Sequence, residues 1–132
     1  MTDTAIRLMV AQLATGFSFP NALLQHAIED LEPLSIDVPA LERRRDRLVP
    51  ALRSMGYETT MPEGTFYVMA RSPIDDDVAF GNLLAAEGVL VLPGEVVEAP
   101  GWFRISLTSI DEMVERSLAG FERARARVAA AG

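Results

Sequence analysis

The sequence has 132 residues, 49% of them hydrophobic, no cysteine and a formal net charge of −7. That length allows one domain with a real core, the charge argues against a nucleic-acid or anionic-membrane surface, and the lack of thiols excludes disulfides, cysteine nucleophiles and cysteine-based metal sites. All 12 basic residues are Arg, so a mechanism that needs a lysine amine cannot be carried by this polypeptide alone. The chain starts polar and acidic, with no basic region leading into an apolar run. No apolar run approaches the roughly 20 residues that span a bilayer. A soluble cytoplasmic protein is the expectation.

Residues 4–14 carry Ile6, Met9, Val10 and Leu13 at helical spacing. Thr15-Gly16-Phe17-Ser18-Phe19-Pro20 breaks the pattern, and Ser18 or Asn21 is placed to cap a second helix over 22–31. His26 lies on that helix with nothing near it in sequence to complete a triad or a metal site. Residues 32–36 read as a linker. Asp37 is a good N-cap for a helix running to about Met55, with Pro39 in its first turn and Gly56 at its left-handed stop. Leu41, Leu48, Leu52 and Met55 form its apolar stripe, and Pro50 should kink it. Arg43, Arg44, Arg45 and Arg47 interleave with Glu42 and Asp46, which reads as a solvated, salt-bridged face rather than a binding site.

A short strand is expected over 57–60, a turn at Pro62-Glu63-Gly64 and a second strand over 65–71. Asp75-Asp76-Asp77 could hold a divalent cation. The simpler reading is that Asp75 or Asp76 caps a helix over about 77–87, which buries Val78, Phe80, Leu83 and Leu84 and ends at Gly88. The wholly apolar run 89–92 reads as a third strand, buried on both faces. Pro93-Gly94 turns the chain into an irregular loop. Residues 101–108 then alternate strictly. Phe103, Ile105 and Leu107 fall on a core face, and Trp102, Arg104 and Ser106 fall on the other. Ser109 and Glu112 have capping-box spacing, and Ile110, Met113, Val114, Leu118 and Phe121 point the last helix at the core.

The expected fold is therefore α/β: a small mixed sheet of about four strands flanked by helices, with a helical N-terminal segment. The glycines are too scattered for a phosphate-binding loop. The chemistry centres on Arg104, whose planar fork of donors fits a carboxylate through two parallel hydrogen bonds. Two readings of it stay open on pattern alone: a carboxylate-binding fork, or a surface Arg paired with one of the 19 acidic residues.

Three pieces recur in a familiar order: Pro62-Glu63-Gly64-Thr65-Phe66-Tyr67, then Glu87-Gly88-Val89-Leu90-Val91-Leu92-Pro93-Gly94, then Phe103-Arg104-Ile105-Ser106-Leu107. Together they resemble the C-terminal small domain of the aspartate-aminotransferase-like (class I/II, fold type I) pyridoxal-phosphate-dependent aminotransferases. Residues 4–32 also resemble the family segment that leads into that domain. The resemblance implies an N-terminal helical segment over 1–34, the end of an absent large domain, and a small domain over 35–132. It implies that Arg104 clamps the α-carboxylate of an amino-acid substrate, with Gly64, Phe66 and Tyr67 near the mouth of the cleft. The family's cofactor is pyridoxal phosphate. None is expected on this chain alone, because the Schiff-base Lys and the Gly-x-Arg phosphate contact are absent and would belong to the large domain preceding Met1.

The implied partners are an amino-acid or 2-oxo-acid carboxylate and the missing large domain, with self-association through residues 1–32 as a further expectation. The implied activity is amino-group transfer between an amino acid and a 2-oxo acid. The alternative is a stand-alone module that binds small carboxylates, or another chain, without catalysis.

Overall fold

The computed structural model describes residues 2–15, 22–31 and 36–131. The chain divides into two units, Met1–Ile36 and Asp37–Gly132. In the first unit, α1 spans Asp3–Thr15 and α2 spans Ala22–Leu31. Ile6, Leu8, Met9, Val10 and Leu13 on α1 are exposed, as are Leu23, Ile28 and Leu31 on α2. The cap expected from Ser18 or Asn21 and the linker over 32–35 lie outside the described residues.

The second unit holds α3 (Val38–Ser54), β1 (Tyr67–Arg71), α4 (Asp77–Ala86), β2 (Leu92–Pro93), a 3-10 turn (Gly94–Val97), β3 (Trp102–Ser106) and α5 (Asp111–Ala131). The helix ends follow side-chain and glycine chemistry. Asp37 Oδ1 accepts the Ala40 amide at 2.9 Å, which caps α3. The helix runs through Pro50 to a Met55 cap. Gly56 then takes φ +87°, while the Gly56 and Tyr57 amides donate to Arg53 O and Leu52 O. This paired bonding satisfies carbonyls that the helix end leaves over. The same arrangement closes α4: Gly88 has φ +80°, and the Gly88 and Val89 amides donate to Ala85 O and Leu84 O.

The three strands are ordered β1-β3-β2, and both pairings are antiparallel. The α/β class and the small helix-flanked sheet hold, with three antiparallel strands where a mixed sheet of about four was expected. The missing strand is the segment 57–60, which keeps one bridge, Thr59 to Ala70. There the Met69 amide donates to Thr60 Oγ1 at 3.1 Å, so a hydroxyl takes the place of a ladder carbonyl. Residues 89–92 also differ from expectation. Only Leu92 and Pro93 pair with β3, and Leu90 is 85% exposed rather than buried on both faces. The run is too short to do more, because the Val89 amide is spent on the end of α4 and Pro93 has no amide to give.

Val68, Ala70, Phe103, Ile105 and Leu107 face the helices, with Leu48, Val49, Leu52, Phe80, Leu84 and Phe121 packed over them. Tyr57 joins this core with its ring centroid about 6 Å from those of Phe80, Phe103 and Phe121. Its hydroxyl donates to Phe121 O at 2.9 Å. Burial raises that phenol to about 12, against a smaller opposing effect of Arg125. Val78, Ile110 and Met113, expected inside, are exposed.

Of the three consecutive aspartates, Asp76 caps α4 by accepting the Ala79 amide at 2.8 Å. Asp77 is buried, and its Oδ2 accepts the Gly101 amide at 2.7 Å, fixing the loop before β3 to the start of α4. No metal-binding cluster of His, Asp or Glu occurs among the described residues. No described helix is long and apolar enough to cross a membrane.

Ion pairs fasten the helices. Arg44 bonds Asp111, and Arg47 grips both oxygens of Glu115, so α3 is tied to α5. Glu87, with only 7% of its side chain accessible, receives a hydrogen bond from Arg123 and lies 2.6 Å from Arg127 Nη2 without hydrogen-bond alignment. The Arg123 hydrogen bond holds the Glu87 carboxyl below its ordinary value of 4.5, against the opposing effect of burial. A carboxyl lowered in the folded state contributes its full stabilisation above the ordinary value and loses it as pH falls through the lowered one. The melting temperature is therefore expected to fall below about pH 4.5, and Glu87→Gln should flatten that fall. Thermal melts of both proteins from pH 7 to pH 2.5 check this; parallel curves would remove Glu87 from the account.

Candidate functional site

The alternation of β3 puts Phe103 and Ile105 in the core, and its opposite face carries Trp102, Arg104 and Ser106, half-buried or exposed. Both neighbours of β3 contribute to that face. In register, Arg104 stands opposite Met69 on β1 and Leu92 on β2, and Tyr67 stands opposite Ser106. Tyr67 is thus a diagonal neighbour of Arg104, the offset at which long and aromatic side chains still meet. The Arg104 guanidinium carbon lies 4.0 Å from the Tyr67 ring centroid. Phe66 adds a second ring, its centroid 4.4 Å from that of Tyr67 with the planes at 50°. The Phe66 carbonyl accepts the Leu107 amide at 2.8 Å, which extends the β1–β3 ladder by one bond and anchors the aromatic pair to the sheet.

The structure therefore brings together Arg104, Tyr67 and Phe66. Gly64 lies exposed in the turn before Phe66, with no non-neighbouring atom within 4 Å of where a Cβ would lie. Sequence reasoning missed Met69 and Leu92, the cross-strand neighbours of Arg104. Only the strand register could have revealed them.

Arg104 differs from the ion-paired arginines in what it contacts, and shares with Arg125, 5.8 Å from the Tyr57 ring centroid, an aromatic face. Arg44, Arg45, Arg47, Arg71, Arg123 and Arg127 each pair with a carboxylate. Arg53 donates to Thr59. Among the described residues, no acid pairs with Arg104; its guanidinium lies over the face of the Tyr67 ring. Face stacking leaves in-plane N–H donors free, and those donors match a carboxylate. Of the two open readings, internal pairing with an acid is the one this geometry disfavours.

The cofactor of the family identified by resemblance is held through a lysine Schiff base. This sequence contains no Lys, and its donor set does not fit that attachment.

Comparison with known proteins places the chain in a family. The family model "Aminotransferase class I and II" matches residues 3–121. An LL-diaminopimelate aminotransferase of Dehalococcoides mccartyi is 36% identical over 123 residues, covering 87% of this chain and 31% of that protein. An aspartate/prephenate aminotransferase of Thermus thermophilus is 38% identical over 120 residues, covering 89% of this chain and 30% of its own length. A Thermus thermophilus aspartate aminotransferase tetra mutant superposes with TM-score 0.75 and 28% identity over 88% of this chain and 34% of that one. The chain thus spans about 30% of the length of these relatives. It belongs to the class I and II aminotransferases, a pyridoxal-phosphate-dependent family.

Proposed function

We propose that this chain is the C-terminal portion of a pyridoxal-phosphate-dependent aminotransferase and supplies one arm of its substrate-carboxylate clamp. Residues 35–132 act as the small domain, and residues 1–34 end the large domain. Arg104 takes the carboxylate of an amino acid or 2-oxo acid, Phe66 and Tyr67 belong to the same site, and Gly64 borders it. The lysine that holds the cofactor comes from chain outside this sequence, and amino-group transfer needs both parts. We place that activity in the cytoplasm.

The observation that carries this reading is Arg104 itself, a half-buried guanidinium on the middle strand that stacks on a ring and pairs with no acid among the described residues. The apolar side chains exposed on α1 and α2 support the need for a covering partner, either the large domain or a second copy. Titration calorimetry of the full chain with an amino acid and its 2-oxo acid tests the clamp. Binding is expected to be weak, on the order of 1 mM, because half a cleft buries little of a ligand. Arg104→Ala should abolish it. Arg104→Lys should not restore it, since an ammonium offers no planar fork. Equal binding by wild type and Arg104→Ala removes the clamp.

A further inference from the structure

We propose that Tyr67 is a positioning residue for Arg104 rather than a contact for the substrate. Its ring fixes the plane of the guanidinium, and Phe66 braces that ring. The function of the fork rests on the carboxylate reading above; the stack itself does not.

A free arginine side chain has four rotatable bonds and samples many directions, and ordering such a chain on binding costs affinity. Three features reduce that freedom here. The guanidinium carbon sits 4.0 Å above the Tyr67 ring. Tyr67 is held on the ladder in register with Ser106, and the Phe66 carbonyl accepts the Leu107 amide, so the platform is as fixed as the sheet. Met69 and Leu92 flank Arg104 in register on either side. A stacked guanidinium gives its face to the ring and keeps its edge for a ligand, whereas a salt bridge would consume that edge. Positioning by an aromatic ring thus holds the arginine in place without using up its in-plane donors. The ring is what performs this role, and the phenolic hydroxyl is dispensable.

Proton–nitrogen NMR of the full chain separates the stack from the clamp. In wild type, the Arg104 Nε–Hε signal is expected upfield of those from arginines paired with acids, because of the ring beneath it. Tyr67→Phe should keep that shift and respond to added sodium acetate with an affinity within about twofold of wild type. Tyr67→Leu should lose the shift and bind acetate roughly three- to tenfold more weakly, the size expected from one immobilised side chain. A Tyr67→Leu protein that is folded and keeps either the shift or the affinity overturns the proposal. If Tyr67→Leu does not fold, Tyr67→Phe decides: loss of the upfield signal there overturns it. An upfield Arg104 signal that ignores acetate in wild type leaves the stack standing and rejects the carboxylate reading.

Discussion

Phe103→Ala is expected to destabilise the unit that starts at Asp37 by about 3–5 kcal/mol. The side chain is completely buried, and its ring meets those of Tyr57, Phe80 and Phe121 at centroid distances of 6.0, 5.4 and 6.3 Å. Those partners come from the chain after α3, from α4 and from α5, so removing the ring opens a hole where several elements meet. The rigid strand cannot collapse into it. A unit of this size has a total stability of roughly 5–10 kcal/mol, so a third or more would go. Urea denaturation at 25 °C measures the loss, and a cost below about 1.5 kcal/mol would mean the site relaxes far more than its packing implies. Arg104→Ala, one residue along the same strand, should cost well under 1 kcal/mol, because its loss leaves no acid among the described residues unpaired.

Gly94→Ala is expected to be about as damaging, by a different route. A Cβ at Gly94 would lie 2.0 Å from Ala99 O and 2.5 Å from Trp102 O. Both obstacles are backbone, so neither can swing aside. The loop closes on itself there: the Ala99 amide donates to Gly94 O at 2.9 Å, and the Trp102 amide donates to Ala99 O at 3.2 Å. Opening it gives up those bonds and displaces the start of β3, for an expected cost of about 3 kcal/mol or more. Gly64→Ala is the matched comparison, since its Cβ meets only open space and should shift stability by no more than about 0.5 kcal/mol. Melting curves of the two variants side by side check the contrast; equal midpoints would overturn the steric argument.

The ends of α3 and α4 were legible because each depends on one residue and its immediate neighbours. Asp37, Asp76, Gly56 and Gly88 all sit where local chemistry puts them. Alternation also identified the buried and open faces of residues 102–107. What could not be read depends on pairing across the chain. Residues 57–60 and 89–92 have strand composition, but one gives a hydroxyl to the ladder and the other is held between a helix end and a proline. The arginine run on α3 was read correctly as salt-bridged, yet Arg44 and Arg47 reach α5 rather than their own helix. Ile110 and Met113 carry the right spacing for a core stripe and lie on its exposed flank, which periodicity alone does not distinguish. At the site, Arg104 and its direction were visible in sequence. The ring beneath it was not, because a diagonal contact exists only once two strands have chosen their register.

The middle position of β3 has a mechanical consequence. A strand hydrogen-bonded on both sides, with Phe103 and Ile105 locked into the layer below, has no slack of its own. Any displacement larger than a swing of the Arg104 side chain must carry β1, β2 and the three helices as one slab, with the bending placed outside that slab.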